Sequence, residues 1–291
     1  EMPLVATAIP IAALQQVTPQ LFDVLGLAER EQVLTTLCSS RRHALSLKRP
    51  PLALLAQGSV VTIGSGRTAL KAVAAASSLL EQTMQETLAS LPLDAHMLTR
   101  RLVTCTSSLR ESASNEAPDA SPTADVADVI AILEIQGRLR SMPEPRAALV
   151  EPLFDLLEAV CTMSEYCTQL VLTELVKLVR DAHLATNVDT PATGFAAAVV
   201  ARFSTHLLSE LAVDAERPQV ARHAIDVIAA AVPLLPLDVL ADVIPHLADV
   251  SQRSLKDGQL SVVLPSVQRA LRVLLPLLVE RGLELRPLLR G

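Results

Sequence analysis

The chain has 291 residues, of which 50% are hydrophobic but only 2% aromatic, with no Trp, one Tyr and four Phe. Five aromatic rings cannot furnish the base-stacking platforms of single-strand nucleic-acid modules. Nine Gly and a Leu/Ala-dominated hydrophobic set argue against a sandwich or barrel and for helices packed on helices. The net charge of −6 disfavours phosphate binding by the whole surface, but the charge is unevenly spread: residues 1–110 carry 10 basic and 7 acidic side chains, residues 111–291 carry 15 and 24. Contacts with nucleic acid are therefore expected in the N-terminal part and contacts with protein in the C-terminal part.

The apolar stretches Met2–Phe22 and Arg49–Arg67 are broken by Pro and Gly, so neither reads as a membrane helix, and no signal peptide is evident. The chain reads as soluble, with no membrane partner, and as part of a longer protein. In the first half, Thr18–Leu27 and Glu29–Ser39 read as a short helix pair with Thr18 as N-cap and Pro19 in the first turn. Ser40–Gly66 mixes a basic run with an apolar stretch, and Arg67–Leu91 with Pro92–Arg110 make a longer pair. Residues 111–124 have the Pro/Ala/Ser composition of a linker or disordered loop. A helix from Asp125 to Ser141, capped by Asp125 or Thr123, opens the regular part.

From there the helical periodicity is sustained. Arg146–Met163 places Leu149, Leu153, Leu156, Leu157 and Val160 on one stripe, and Tyr166–His183 does the same with Leu170, Leu172, Leu175, Val176, Leu178 and Val179. Phe195–Val213 with Arg217–Val232, and Leu237–Leu255 with Gln259–Val279, make two further pairs. Pair starts recur about every 40–50 residues, the period of HEAT and armadillo repeats. Pro152, Pro245, Pro265 and Pro276 fall inside these helices and are expected to kink or restart them. The expected fold is all-α: an α-solenoid of HEAT/armadillo-like helix pairs, with an N-terminal helical segment over 1–110, a linker over 111–124 and the repeats over 125–291.

Chemistry-bearing patterns are sparse. Gly64-Ser65-Gly66-Arg67-Thr68 lacks the Lys and the spacing of a P-loop and reads as a turn before a helix. The four cysteines, Cys38, Cys105, Cys161 and Cys167, have no C-x-x-C spacing and are too scattered for a disulfide framework; Cys161 and Cys167 read as buried thiols, and an intracellular compartment is expected. The six His form no H-E-x-x-H motif; His223 and His246 read as surface or interhelical hydrogen-bonding groups. Asp238 and Asp242, one turn apart, read as a solvated face. No catalytic, cofactor-binding or metal residue is assigned. The one local feature with a partner chemistry is the basic run of Arg41, Arg42, Lys48 and Arg49, flanked by turn formers. It reads either as a solvated loop or as a contact to RNA phosphates or an acidic protein groove.

From about Val126 onward, the order of Ile132–Leu139, LVEPLFDLLEAV (Leu149–Val160), QLVLTELVKLV (Gln169–Val179), His223–Asp257 and VLLPLLVERG (Val273–Gly282) resembles the large HEAT-repeat subunit of the small-subunit processome, the U-three-protein-ten type of the UTP-A subcomplex. The family's Asp-Asp and Tyr before its last Pro motif are missing, since positions 256–260 read Lys-Asp-Gly-Gln-Leu. The resemblance implies a nucleolar scaffold without a cofactor or a chemical step. It would support small-subunit pre-rRNA processing through other protein subunits and through Arg contacts to pre-rRNA or small nucleolar RNA. A karyopherin-like or coat-type trafficking adaptor, or a helical regulatory subunit of a larger enzyme, would use the same architecture.

Overall fold

In a computed structural model of the protein, the described residues are 19–48, 78, 81–114, 121–137, 139, 143–184, 207–212, 214, 216–235, 237–256, 258 and 260–280. They form helices and turns, with no strand among them. The fold is all-α. The chain divides into two compact units, Glu1–Leu93 and Asp94–Gly291. That division falls ahead of the 111–124 boundary read from composition. The polar stretch is narrower than its composition implies, because one helix runs to Ser114 and the next starts at Ser121.

The first unit contains α1 (Pro19–Val24) and α2 (Leu27–Lys48), with a further helical run over 81–90. Helix α2 starts on half of a capping box: the Glu29 carboxylate accepts the Gly26 N–H at 2.7 Å. Arg30 donates to the Leu25 carbonyl at 2.9 Å and lies over the Phe22 ring, 5.4 Å from its centroid. Both interactions anchor the α1–α2 corner. Leu34, Leu37 and Cys38 form the buried face of α2, and Met84, Leu88, Leu91 and Leu93 are buried in the same unit.

The second unit contains α3 (Ala95–Ser114), α4 (Ser121–Ile135), α5 (Pro143–Val160), α6 (Glu165–Leu184), α7 (Pro218–Ala231), α8 (Leu237–Lys256) and α9 (Leu264–Glu280), with a π-turn over Leu207–Leu211. Caps explain where several begin. The Asp94 carboxylate accepts the Met97 N–H at 2.8 Å ahead of α3, and Ser164 Oγ accepts the Cys167 N–H at 3.3 Å ahead of α6. Pro122 and Pro218 sit in the first turns of α4 and α7, where a missing N–H is harmless. Helix α4 thus starts at Ser121, earlier than the cap expected at Thr123 or Asp125. Pro265 likewise stands in the first turn of α9, after a 3-10 turn over Leu260–Val263, and so does not interrupt that helix. Pro152, Pro245 and Pro276 are inside helices; Pro245 and Pro276 are exposed, and Pro152 is half-buried, the Ala148 carbonyl that it frees accepting a hydrogen bond from Thr99 Oγ1 at 3.3 Å.

The packing has a simple order. Helix α3 packs on α4 and α5, and α6 packs on α4, α5 and α7. Helix α7 also packs on α9, α9 on α8, and the π-turn on both α7 and α8. Helices α4, α6, α7 and α9 thus follow one another in a single row of contacts, with α3 and α5 packed on each other beside α4 and α6, and the π-turn and α8 packed on each other beside α7 and α9. The stripe on α5 is buried as expected, and Val150 and Phe154 are fully buried with it. On α6, Val171, Leu172, Leu175, Leu178 and Val179 are buried, whereas Leu170 and Val176 are half-exposed. Helix α7 is buried around most of its circumference, at Val220, Ala221, Ala224, Ile225, Val227, Ile228, Ala229 and Ala231. The run Ser261–Glu280, with a mean hydropathy of 1.6 over its most apolar window, is long and apolar enough to cross a membrane by length and composition. In the fold its Val267, Ala270, Leu274 and Leu278 are buried, within a helix packed on α7 and α8.

Polar ties join successive helices. Thr99 Oγ1 donates to the Ala148 carbonyl at 3.3 Å, linking α3 to α5. Lys177 Nζ on α6 lies 2.9 Å from Glu134 Oε1 on α4 and 3.2 Å from Glu174 Oε2. Arg269 Nη1 on α9 lies 2.8 Å from Asp226 Oδ1 on α7. Thr168 Oγ1 donates to the Val160 carbonyl at 3.2 Å across the α5–α6 turn. Before α7, the Asp214 carboxylate accepts the Glu216 and Arg217 N–H groups and holds the Arg217 guanidinium at 2.7 Å. Arg217 in turn donates to the Cys161 carbonyl, one of the orphan acceptors at the end of α5.

Glu174 has no exposed side-chain surface, so the Lys177 ammonium beside it offsets a desolvated carboxylate. Burial acts to lower the Lys177 pKa, but the hydrogen bond to Glu134 and the charge of Glu174 outweigh it and raise the pKa above its ordinary value. Replacing Lys177 by Met should destabilise the protein by about 1–3 kcal/mol in urea unfolding, because Glu174 is left without its ammonium. Adding Glu174→Gln in the same chain should recover part of the loss; equal effects of the single and double variants would remove the electrostatic account.

Candidate functional site

The basic run lies on a helix. Helix α2 continues through Arg41, Arg42 and Lys48, because the stretch from Ser39 to Lys48 contains no Gly or Pro and is rich in Arg, Ala and Leu. Cations in the last turns of a helix also complement its carbonyl end. Arg41 follows Leu37 by four residues and Cys38 by three, which sets its stem at the edge of the buried face, and it is half-buried with Nε lacking a hydrogen-bond partner. Arg42 is half-buried as well, and Lys48 ends the helix. Arg49 lies outside the described residues, as do Gly64–Thr68 and most of Phe195–Val213. The loop expected around this run is replaced by helix as far as Lys48.

A second place concentrates charge and concavity, in the Asp94–Gly291 unit. Helices α6, α7 and α9 enclose a cavity of about 220 Å³ lined by Arg180, Asp226, Ala229, Ala230, Pro233, Arg269 and Val273. Residues 226, 229 and 230 fall on one face of α7 by their spacing of three and four, Pro233 follows in a 3-10 turn over Val232–Leu234, and Arg269 and Val273 are one turn apart on α9. Alanines at 229 and 230 leave a groove where larger side chains would fill it. Asp226 is largely buried, with 11% of its side chain exposed, and it holds Arg269, whose side chain is 54% exposed. Arg180, on the α6 wall, is exposed and carries no ion pair among the described residues.

His223 stands one turn before Asp226 on α7 and is half-buried. Burial lowers its pKa below 6.5 and the nearby Arg222 acts in the same direction, while Asp226 opposes them. His246 is half-buried and Asp242 exposed. All four cysteines are free and buried, and burial pushes the Cys161 and Cys167 thiols above their ordinary range. Among the described residues no three His, Cys, Asp or Glu side chains gather as metal ligands.

The groove was not legible as a site in the sequence. Its lining comes from positions 180, 226–233 and 269–273, and only the packing of α7 between α6 and α9 unites them. The available signal was the small-residue run Ala229-Ala230-Ala231 one turn after an Asp. Compared with known proteins, the chain matches no family model, no curated protein and no solved structure.

The lowered pKa of His223 has a definite consequence. The unfolded imidazole takes up a proton near pH 6.5, and the folded one does so only at lower pH. Stability from this group is therefore complete above about pH 6.5 and falls as the pH drops toward the folded pKa. Urea midpoints between pH 7.5 and 5.5 should fall less for His223→Gln than for the native chain; parallel declines would assign the pH dependence to other groups.

Proposed function

We propose that the chain is a non-catalytic α-solenoid scaffold of HEAT/armadillo-like helix pairs, acting through multivalent contacts. The carrying observation is the packing order, in which α4, α6, α7 and α9 contact one another in succession while α3 with α4, α5 with α6, the π-turn with α7 and α8 with α9 touch as pairs. Three polar ties add to it. Thr99–Ala148, Glu134–Lys177 and Asp226–Arg269 each join corresponding helices of adjacent pairs, and they span 49, 43 and 43 residues, which is the spacing of the pair period. Such an array presents long surfaces to several partners at once, and avidity follows from their simultaneous engagement.

We further propose that this scaffold works in ribosome biogenesis, in the nucleolus, as part of a ribonucleoprotein assembly that supports small-subunit pre-rRNA processing. The support is the order of apolar segments from Ile132 to Gly282 that resembles the processome's large HEAT-repeat subunit. In this reading the acidic part over 111–291 faces other protein subunits, and Arg41, Arg42, Lys48 and Arg49 meet RNA phosphate. The scaffold needs no cofactor.

Native pull-down of the full chain tests the proposal. Small-subunit assembly proteins together with pre-rRNA or small nucleolar RNA should be recovered, and the RNA should be lost on Ala substitution of Arg41, Arg42, Lys48 and Arg49. Recovery of transport cargo with a small GTPase, or of vesicle-coat components, would replace the reading by a trafficking adaptor. Recovery of one catalytic subunit would make the chain a regulatory one.

A further inference from the structure

We infer that the groove between α6, α7 and α9 is a docking site for a short acidic–aliphatic segment of a partner protein. A carboxylate of that segment is held between Arg180 and Arg269, and an aliphatic side chain covers Ala229, Ala230, Pro233 and Val273. The inference deepens the scaffold reading by naming the chemistry of one partner, and it is independent of which assembly the scaffold serves.

Three observations carry it. The two walls of the groove present guanidinium groups of different kinds. Arg180 is exposed and without an ion pair among the described residues, so its donors are open to a ligand. Arg269 is oriented by Asp226 through Nη1, which leaves Nε and Nη2 to donate outward in a fixed fork. An arginine already positioned by a buried carboxylate loses less side-chain freedom when it binds, which favours recognition at this spot.

The floor is apolar. Ala229, Ala230, Pro233 and Val273 come from α7, the 3-10 turn after it and α9, and surround the charged pair with hydrocarbon, the composition that accepts a Leu, Ile or Val beside an acidic residue. The cavity of about 220 Å³ is below the range of drug-sized or nucleotide pockets, which begins near ~300 Å³, and so suits side chains of a peptide.

Charge separates a protein partner from RNA. Two arginines against Asp226 leave a local charge of about one positive unit, which is neutralised by a single carboxylate. A phosphodiester chain would add several negative charges beside Asp226, on the portion of the chain that carries 24 acidic against 15 basic side chains. Complementarity therefore favours an isolated acidic side chain on an aliphatic segment.

The test uses the full chain and two pools of fluorescein-labelled octapeptides. One pool has a central Glu flanked on both sides by Leu, Ile, Val or Ala, and the other has Gln in place of that Glu. A ten-residue uridine RNA serves as the third probe. Fluorescence anisotropy should show binding of the Glu pool, about tenfold or more weaker binding of the Gln pool, and weakening of the Glu pool by more NaCl. Arg180→Gln breaks no ion pair among the described residues and should weaken the Glu pool about tenfold with the unfolding midpoint unchanged, while Arg272→Gln, an exposed position on α9 outside the groove, should leave it unchanged. Arg269→Gln should also weaken binding, though it removes the partner of Asp226, so Arg180→Gln decides. No binding of the Glu pool, equal binding of both pools, or no effect of Arg180→Gln overturns the inference. Displacement of the peptide by the uridine RNA, sensitive to Arg180→Gln, would make the groove an RNA contact instead. Peptide binding without recovery of ribosome-assembly subunits in the pull-down would reject that assembly and keep the groove; the opposite pattern would keep the assembly and reject the groove.

Discussion

Helix α7 has little solvent face of its own. Eight of its fourteen residues are buried, spread around the axis, and it packs on α6 on one side and α9 on the other. A helix of this length is marginal in isolation, and one that is apolar all round would aggregate if its neighbours were absent. Its existence therefore depends on lateral burial from both flanking helices, and theirs depends in part on it. The same mutual dependence runs from α3 to α9, since each helix buries its surface against a pair partner and against helices of the adjacent pairs. Layered packing of this kind follows directly from Leu, Val, Ile and Ala at helical spacing with almost no aromatic residues to build a single thick core.

Apolar burial is not directional, so something must set the register of one helix against the next. The polar ties perform that task. Lys177 reaches Glu134 across α4 and α6, Arg269 reaches Asp226 across α7 and α9, and Arg217 closes the end of α5 while Asp214 fixes its own turn. Each is short, and most pair a half-exposed cation with an acceptor in the neighbouring element. Exposed pairs of this kind contribute little net stability, typically about 0–1 kcal/mol. Their value lies in geometry, because sliding α9 by one turn along α7 would leave Asp226 desolvated without its cation, and sliding α6 along α4 would part Lys177 from Glu134.

Much of this architecture could be read along the chain. The stripes on α5 and α6 and the pairs split near positions 164, 217 and 257 follow from local periodicity and turn chemistry, which are sequence-local signals. Local signals fail where two rules compete. Around Arg41 and Arg42 the basic run and the nearby prolines suggested a loop, yet helix propensity carries α2 through Lys48 and only Pro50 supplies a strong stop. At Pro265 the outcome is the restart that an interior proline implies, with a 3-10 turn ahead of it and α9 beginning at Leu264. Val150 and Phe154 lie off the stripe of α5 and are buried because α3 and α6 flank that helix on different sides, which no single-helix pattern can report.

Asp226 joins the architectural and the functional arguments. As a largely buried carboxylate it requires a cation, and Arg269 meets that requirement from the next helix of the row. Once Arg269 is committed, the groove above Ala229 and Ala230 acquires one guanidinium oriented by Asp226 and, on Arg180, one with no ion pair among the described residues, in a setting whose floor is hydrocarbon. The feature that fixes the α7–α9 register thus also fixes the charge and shape of the groove. The proposed docking therefore needs no added loop or insertion, because the residues that tie α7 to α9 also line the space between them. In that proposal the ligand carboxylate meets Arg269 through Nε and Nη2 while Nη1 stays on Asp226, so occupancy of the groove would reinforce the tie between the two helices.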